Sequence, residues 1–161
     1  MNAVAKTNAM RLLESRKVTY EAFTYLAEIH SADEVAHVLG FPPSEVYKTL
    51  VVLRGKGRPL LVLVAGNKEI DLRRLARSVD EKALRMAPYR EAERLTGLQV
   101  GGISALALLG RGFDVCIDRP ALDLEYVLVS AGQRGINVRL RVKDLLAVTG
   151  AKPVEATAVT Q

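Results

Sequence analysis

The chain has 161 residues, 49% of them hydrophobic and 25% charged, and a net charge of +5, which fits one globular domain with a single hydrophobic core. Its one cysteine excludes an internal disulfide, and an aromatic content of 5% without tryptophan argues against an aromatic platform that stacks single-stranded RNA. No apolar run reaches the roughly 18 residues of a membrane span and the N-terminus lacks a signal pattern, so we expect a cytoplasmic protein without a membrane partner.

Capping residues and apolar periodicity define the predicted elements. Thr7, Ser31 and Asp71 are suited to begin helices, and Ser31 with Glu34 forms a capping box. Predicted helices cover 7–17, 31–39, 71–77, 89–96 and 142–149, with short helical pieces at 44–47 and in 81–87 and a turn or short helix at 120–124. Predicted strands cover 19–25, 45–53, 60–65, 114–118, 126–129 and 136–140, with a further short strand in 81–87.

This order of elements predicts a single α+β domain over residues 1–161. Strands and helices do not alternate strictly, as a doubly wound fold requires. We therefore expect a mixed, largely antiparallel, curled sheet surrounded by helices. The stretch from Ala151 to the end has no pattern and is predicted to be a frayed tail.

The predicted strand 45–53 carries a lysine among apolar residues. Side chains alternate along a strand, so Lys48 shares a face with Val46, Leu50 and Val52. A buried ammonium loses solvation unless an anion, carbonyl groups or a wet pocket receives it. The alternative is a stem that lies on the apolar surface while its charged end reaches water.

Two segments contain glycines suited to close ligand contact. Gly101 and Gly102 precede Ile103 and Ser104, and the second segment, 130–137, begins Ser-Ala-Gly. Adjacent glycines can turn successive N–H groups toward one oxygen or phosphate. Neither segment has the spacing of a P-loop or a dinucleotide fingerprint, and a plain turn is the alternative for each.

The usual catalytic and metal-binding residues are scarce. One cysteine and two histidines, without a zinc-ligand spacing, lead us to predict no metal site and no cofactor. Cys116 lies in a short apolar strand and is expected in the core. His37 lies one helical turn after Asp33, so a surface ion pair explains this histidine. His30 has no serine or cysteine placed beside it, so no protein nucleophile is expected.

The positive charge is concentrated in the middle of the chain. Between Arg54 and Arg94 there are eleven basic residues and six acidic ones. A basic surface of this kind fits a polyanion partner, and a solvated surface that keeps the protein soluble explains it equally well.

Three segments together resemble one known family. They are 46–50 (Val-Tyr-Lys-Thr-Leu), 100–104 (Val-Gly-Gly-Ile-Ser) and 129–135 (Val-Ser-Ala-Gly-Gln-Arg-Gly). In order and spacing they are similar to motifs of the YbaK-type Cys-tRNA(Pro)/Cys-tRNA(Cys) deacylases, which are related to the editing domain of bacterial prolyl-tRNA synthetase. The resemblance extends from about Thr7 to about Thr149.

The resemblance implies a trans-editing enzyme that hydrolyses cysteine mischarged on tRNA(Pro), with the thiol of the substrate attacking its own carbonyl. Lys48 would bind the terminal adenosine or the ester, and the amides of Gly101 and Gly102 would hold the carbonyl. The residues implied to bind the substrate are Tyr25, Ile103, Ser104, Ser130, Ala131 and Gly132. The residues predicted to bind tRNA are Arg73, Arg74, Arg77, Arg90 and Arg94.

Some positions depart from the family pattern. Ala105 and Ala107 replace the usual proline and glycine, Asn137 replaces a common acidic residue, and Ser31 replaces an aromatic residue of some members. These departures bear on loop shape and amino-acid choice. Hydrolysis of another small amino acid, such as alanine on tRNA(Pro), and a non-catalytic tRNA- or synthetase-binding module remain open.

The expected partners are the acceptor end of mischarged tRNA and a prolyl- or cysteinyl-tRNA synthetase. The protein itself is expected to be a monomer or a weak dimer.

Overall fold

The structure is a computed structural model that describes residues 5–29 and 31–158. The α-helices of this part are α1 (Asn8–Ser15), α2 (Ala32–Leu39), α3 (Leu72–Ser78), α4 (Tyr89–Thr96) and α5 (Val142–Thr149). The strands are β1 (Tyr20–Thr24), β2 (Tyr47–Arg54), β3 (Leu60–Ala65), β4 (Leu84–Met86), β5 (Asp114–Asp118), β6 (Tyr126–Gln133), β7 (Ile136–Arg141) and β8 (Lys152–Val154). Short 3-10 helices occupy Pro43–Glu45 and Arg119–Asp123.

Local sequence signals fix several helix ends. The Thr7 hydroxyl accepts the N–H of Met10, and the Ser31 hydroxyl and the Asp71 carboxylate cap α2 and α3 in the same way. Gly40 ends α2 in the left-handed conformation, where a glycine has no steric penalty. The predicted caps are therefore those that the fold uses.

The strands form two sheets. One is antiparallel, in the order β1-β7-β6, and the other is mixed, in the order β4-β2-β3-β5-β8. In the mixed sheet β2 pairs antiparallel with β3 and β4, whereas β3–β5 and β5–β8 are parallel. The single α+β domain with a mixed, largely antiparallel sheet is confirmed.

Apolar side chains cover both faces of β2 and β3. Tyr47, Val51 and Leu63 belong to the main core, which the antiparallel sheet, α1 and α5 also contribute to. Val52 and Val64 belong to a second cluster with α3 and the C-terminal segment. A strand pair buried on both faces explains why all of β3 is apolar.

The frayed tail predicted for 151–161 is wrong over residues 151–158. Lys152–Val154 adds a strand to the sheet beside β5. Asp118, only 2% exposed, accepts hydrogen bonds from the N–H of Ala156 and the hydroxyl of Thr157. A buried carboxylate needs such donors, so the segment is held in place although its sequence has no strand pattern. Residues 159–161 lie outside the described part of the chain.

Two further boundaries differ from the prediction. Strand β6 extends to Gln133 instead of ending at 129, so most of the predicted glycine loop 130–137 is a β-hairpin with a bulge between Ser130 and Gln133. Residues 81–87 contain the strand β4 and no helix. Among the described helices, none is long and apolar enough to cross a membrane.

Candidate active site

An isolated bridge joins the two sheets beside the start of β2. Val46 forms an isolated parallel bridge with Leu128 of β6. Along the same edge of β2, the next strand, β4, pairs only from Val52 to Arg54. The first half of β2 therefore has β3 on one side, and none of the described strands pairs with it on the other.

A cavity of about 390 Å³ lies against this half of β2. Four consecutive residues of the strand, Tyr47, Lys48, Thr49 and Leu50, line it. Because their side chains alternate between faces, all four can line one cavity only if the strand meets it edge-on. The other lining residues are Tyr25, Ser31, Ala32, Val35, Gly66, Tyr89, Val100, Gly101, Ile103, Ser130 and Asn137.

The structure thus brings together residues far apart in the sequence. Of the predicted catalytic and substrate-binding residues, Lys48, Gly101, Tyr25, Ile103 and Ser130 line this one cavity. Their roles in catalysis stay predictions. Their common location places Lys48 on the same cavity as residues of both glycine segments.

Lys48 is the one charged side chain among the described residues that line the cavity. It is half-buried, and no carboxylate of the described residues lies within ion-pair distance of it. A positive charge without a protein counter-ion, in a partly dehydrated cavity, attracts an anion or the oxygen of a polarised carbonyl. The cavity is therefore suited to an electron-rich ligand.

Neutral polar groups occupy much of the remaining wall. The Tyr25 hydroxyl donates to Oδ1 of Asn137 at 3.0 Å, and burial raises the pKa of Tyr25. Burial, together with the negative charges of Asp118 and Asp123, raises the pKa of Tyr47 as well. Both phenols therefore keep their protons near pH 7, and the proton of Tyr25 is used in the bond to Asn137.

Thr49 has a buried hydroxyl oxygen for which the described residues provide no hydrogen-bond partner. A buried polar atom of this kind costs free energy unless a ligand or water satisfies it. Thr49 itself is among the residues that line the cavity beside Lys48.

The two adjacent glycines have different roles, and the prediction that both amides hold a carbonyl is wrong for Gly102. Its N–H donates to the carbonyl of Gln99 at 2.7 Å, so it is already used within the turn. Gly102 is buried and does not line the cavity. Gly101 does line it, with a φ of +93° that favours glycine, and its N–H makes no bond with the described residues.

Charged side chains hold the residue before Gly101 from both sides. The N–H of Val100 donates to a carboxylate oxygen of Glu93 at 2.9 Å. The carbonyl of Val100 accepts from Nε of Arg134, in the β6–β7 hairpin, at 2.7 Å. Bonds to ionised groups are stronger than bonds between neutral ones. Glu93 and Arg134 therefore fix Gly101 relative to both α4 and the hairpin.

Three residues predicted to bind substrate lie behind the cavity wall. Ser104 is buried and its hydroxyl accepts the N–H of Ala107. Ala131 and Gly132 line a separate depression, beside Ala107. None of these three is among the residues that line the main cavity, and their contact with a substrate stays a prediction.

The five arginines predicted to bind tRNA divide into two groups. Arg90 and Arg94 lie on α4, whose first residue, Tyr89, lines the cavity. Arg73, Arg74 and Arg77 lie on α3, which packs on the second core cluster and contributes no lining residue. Arg74 also forms an ion pair with Glu155 at 2.8 Å.

Several lining residues could not be found by sequence reasoning. Alternation along the strand places Thr49 on the opposite face from Lys48, and the sequence around Tyr89 indicates only the start of a helix. Ser31 and Asn137 were singled out as departures from a family pattern, and both line the cavity. For Ser31 and Asn137 the departure from the family pattern was the only sequence signal of a place in the site, since no local periodicity distinguishes them.

Comparison with known proteins shows which proteins are similar to this chain. A family model described as aminoacyl-tRNA editing domain matches residues 27–148. EbsC of Enterococcus faecalis, a proposed Cys-tRNA(Pro)/Cys-tRNA(Cys) deacylase, is 34% identical over 154 residues, covering 94% of this chain and 93% of EbsC. The proline–tRNA ligase of Aquifex aeolicus is 29% identical over 80 residues, covering 50% of this chain and 14% of the ligase.

Among solved structures, a proposed trans-editing enzyme for prolyl-tRNA synthetase superposes with a TM-score of 0.79 at 27% identity. The alignment covers 97% of this chain and 100% of that enzyme. The similarity therefore extends over the whole fold as well as the sequence motifs.

Proposed function

Because the chain belongs to the aminoacyl-tRNA editing domain family, as its motifs predicted, we propose that it hydrolyses the ester of an amino acid wrongly attached to tRNA. The proposed substrate is cysteine on tRNA(Pro), with Cys-tRNA(Cys) as a related one. The acceptor end of the tRNA is then the partner, and a prolyl- or cysteinyl-tRNA synthetase is a further candidate.

The observation that carries this proposal is the position of Lys48. Its ammonium is the one charge on the described cavity wall and has no counter-ion there, while the free amide of Gly101 lies on the same wall. An ester carbonyl gains negative charge on oxygen as it is attacked. A fixed cation and a fixed N–H stabilise that charge more in the transition state than in the ground state.

The nucleophile is proposed to come from the substrate. Among the described lining residues there is no histidine, cysteine or carboxylate that could activate a hydroxyl. In the proposed step the cysteine thiol loses its proton and its sulfur bonds to the carbonyl carbon. The bond from that carbon to the ribose oxygen then breaks, and the ribose oxygen receives the proton that the thiol lost. Water then opens the resulting cyclic thioester and releases free cysteine.

The test is the rate of deacylation of Cys-tRNA(Pro) by wild type, Lys48→Ala and Lys48→Met. The methionine keeps an apolar stem of similar length without the charge. We expect both variants to lose at least about 100-fold in rate, which corresponds to about 2.7 kcal/mol of barrier. The control is Lys56→Ala, at an exposed position between β2 and β3 that does not line the cavity.

Equal rates for folded Lys48 variants and wild type would remove Lys48 from the mechanism. A panel with Cys-tRNA(Pro), Cys-tRNA(Cys) and Ala-tRNA(Pro) identifies the amino acid and the tRNA. Hydrolysis of the alanyl ester at the same rate would contradict attack by a substrate thiol. Salt-dependent tRNA binding without cleavage of any ester would favour a non-catalytic binding module.

A further inference from the structure

An aromatic ring stands exposed at the edge of the cavity. Tyr89 is 73% exposed and still lines the same cavity as Lys48. It is the first residue of α4, directly after Pro88, whose ring restricts the backbone there. Tyr89 has no stacking partner among the aromatic residues of the described chain.

Arginines lie close to this ring in the sequence. Arg85 and Arg90 are exposed within four residues of Tyr89, and neither forms an ion pair within the described chain. Arg94, one turn further along α4, pairs weakly with Glu91 at 3.7 Å. A flat, accessible ring beside unpaired cations suits a ligand that combines a planar base with phosphates.

We propose that Tyr89 stacks on the terminal nucleobase of the bound RNA, with Arg85 and Arg90 beside the phosphates that precede it. This inference rests on the proposed function, since it assigns the part of the substrate that lies outside the ester-binding cavity. Lys48 and Gly101 contact the acyl link inside the cavity, and the base at the edge remains on the ring of Tyr89. Stacking on one ring is tolerant of base identity.

A fluorescent analogue of the RNA end tests this inference apart from catalysis. The probe is a CCA trinucleotide with 2-aminopurine as the terminal base and the amino acid joined through a 3′-amide that is not hydrolysed. Binding to wild type and Tyr89→Phe should quench the fluorescence. Tyr89→Ala should bind about 5- to 150-fold more weakly, the range of one lost base stack, and should not quench.

The matched control is Leu122→Ala, at another exposed apolar residue, 42% exposed and outside the cavity lining. It should bind and quench as wild type does. Affinity and quenching of folded Tyr89→Ala equal to those of wild type would overturn the stacking proposal. Loss of both in Tyr89→Phe would overturn it too, since the ring is retained.

The result is separable from that for the proposed function. Quenching by a wild-type protein that cleaves no ester would leave the stacking intact and remove the deacylase. Cleavage that depends on Lys48, together with unchanged binding and quenching by Tyr89→Ala, would support the deacylase and remove the stacking.

Discussion

Replacement of Gly102 by alanine tests the close backbone contact between the turn that contains Gly102 and the β6–β7 hairpin. A Cβ at this position would stand 2.8 Å from the amide nitrogen of Arg134 and 3.0 Å from the carbonyl carbon of Gln133. Both are backbone atoms, so neither can rotate away. The turn and the hairpin would have to separate by several tenths of an ångström.

The cost follows from this overlap. Forcing an extra methyl group into a packed site costs about 1–3 kcal/mol. For a chain of this length, about 1 kcal/mol lowers Tm by roughly 2–4 °C, so we expect a loss of roughly 2–12 °C. The deacylation rate should fall as well, because Gly101 is the next residue and lines the cavity.

Urea unfolding and thermal melting measure the stability, and single-turnover deacylation measures the effect on the site. The matched control is Gly55→Ala, where the added Cβ meets no atom within 4 Å and φ is not positive. It should be neutral or stabilising by up to about 1 kcal/mol, since alanine restricts the unfolded chain. If Gly102→Ala were as stable and as active as Gly55→Ala, the close contact would be refuted.

Two other variants test the positioning of the site and the titration of a tyrosine. Arg134→Met should leave the carbonyl of Val100 unpaired and lower the free energy of unfolding by about 1–3 kcal/mol. It should also slow deacylation with little change in tRNA affinity. An unchanged single-turnover rate would show that this bond does not position Gly101. Burial and the bond to Glu14 raise the pKa of Tyr20 to about 12. The folded state then keeps a proton that the unfolded state loses above about pH 10, so this stabilisation is complete below pH 10 and disappears as the pH rises through about 12. Urea titrations from pH 8 to 12 should show a steeper loss for wild type than for Tyr20→Phe, and parallel curves would contradict the shift.

Interactions between neighbouring residues were sufficient to predict the helices and central strands. Hydroxyl and carboxylate caps at Thr7, Ser31 and Asp71 act within three residues, and the alternation along β2 needs only its own neighbours. The same alternation singled out Lys48, because an ammonium among valines and leucines is anomalous in any fold. The family motifs added the residues Gly101, Ile103 and Ser130, which line the cavity.

Other features depend on segments that meet only after folding. The C-terminal strand pairs with β5, and the buried carboxylate of Asp118 accepts the N–H of Ala156, which lies 38 residues further along the chain. The amide of Gly102 is taken by Gln99, whereas Val100 is held by Glu93 and Arg134 from different elements. None of these partners leaves a periodic signal.

The amino-acid sequence by itself therefore determined the helices and central strands, the unusual lysine and the family. Only the tertiary structure decided which glycine amide remains free, that Thr49 and Tyr89 reach the cavity, and that the tail is a strand. Capping and alternation are short-range effects encoded in neighbouring residues, whereas a cavity wall and the partner of a buried polar group depend on which distant segments come into contact.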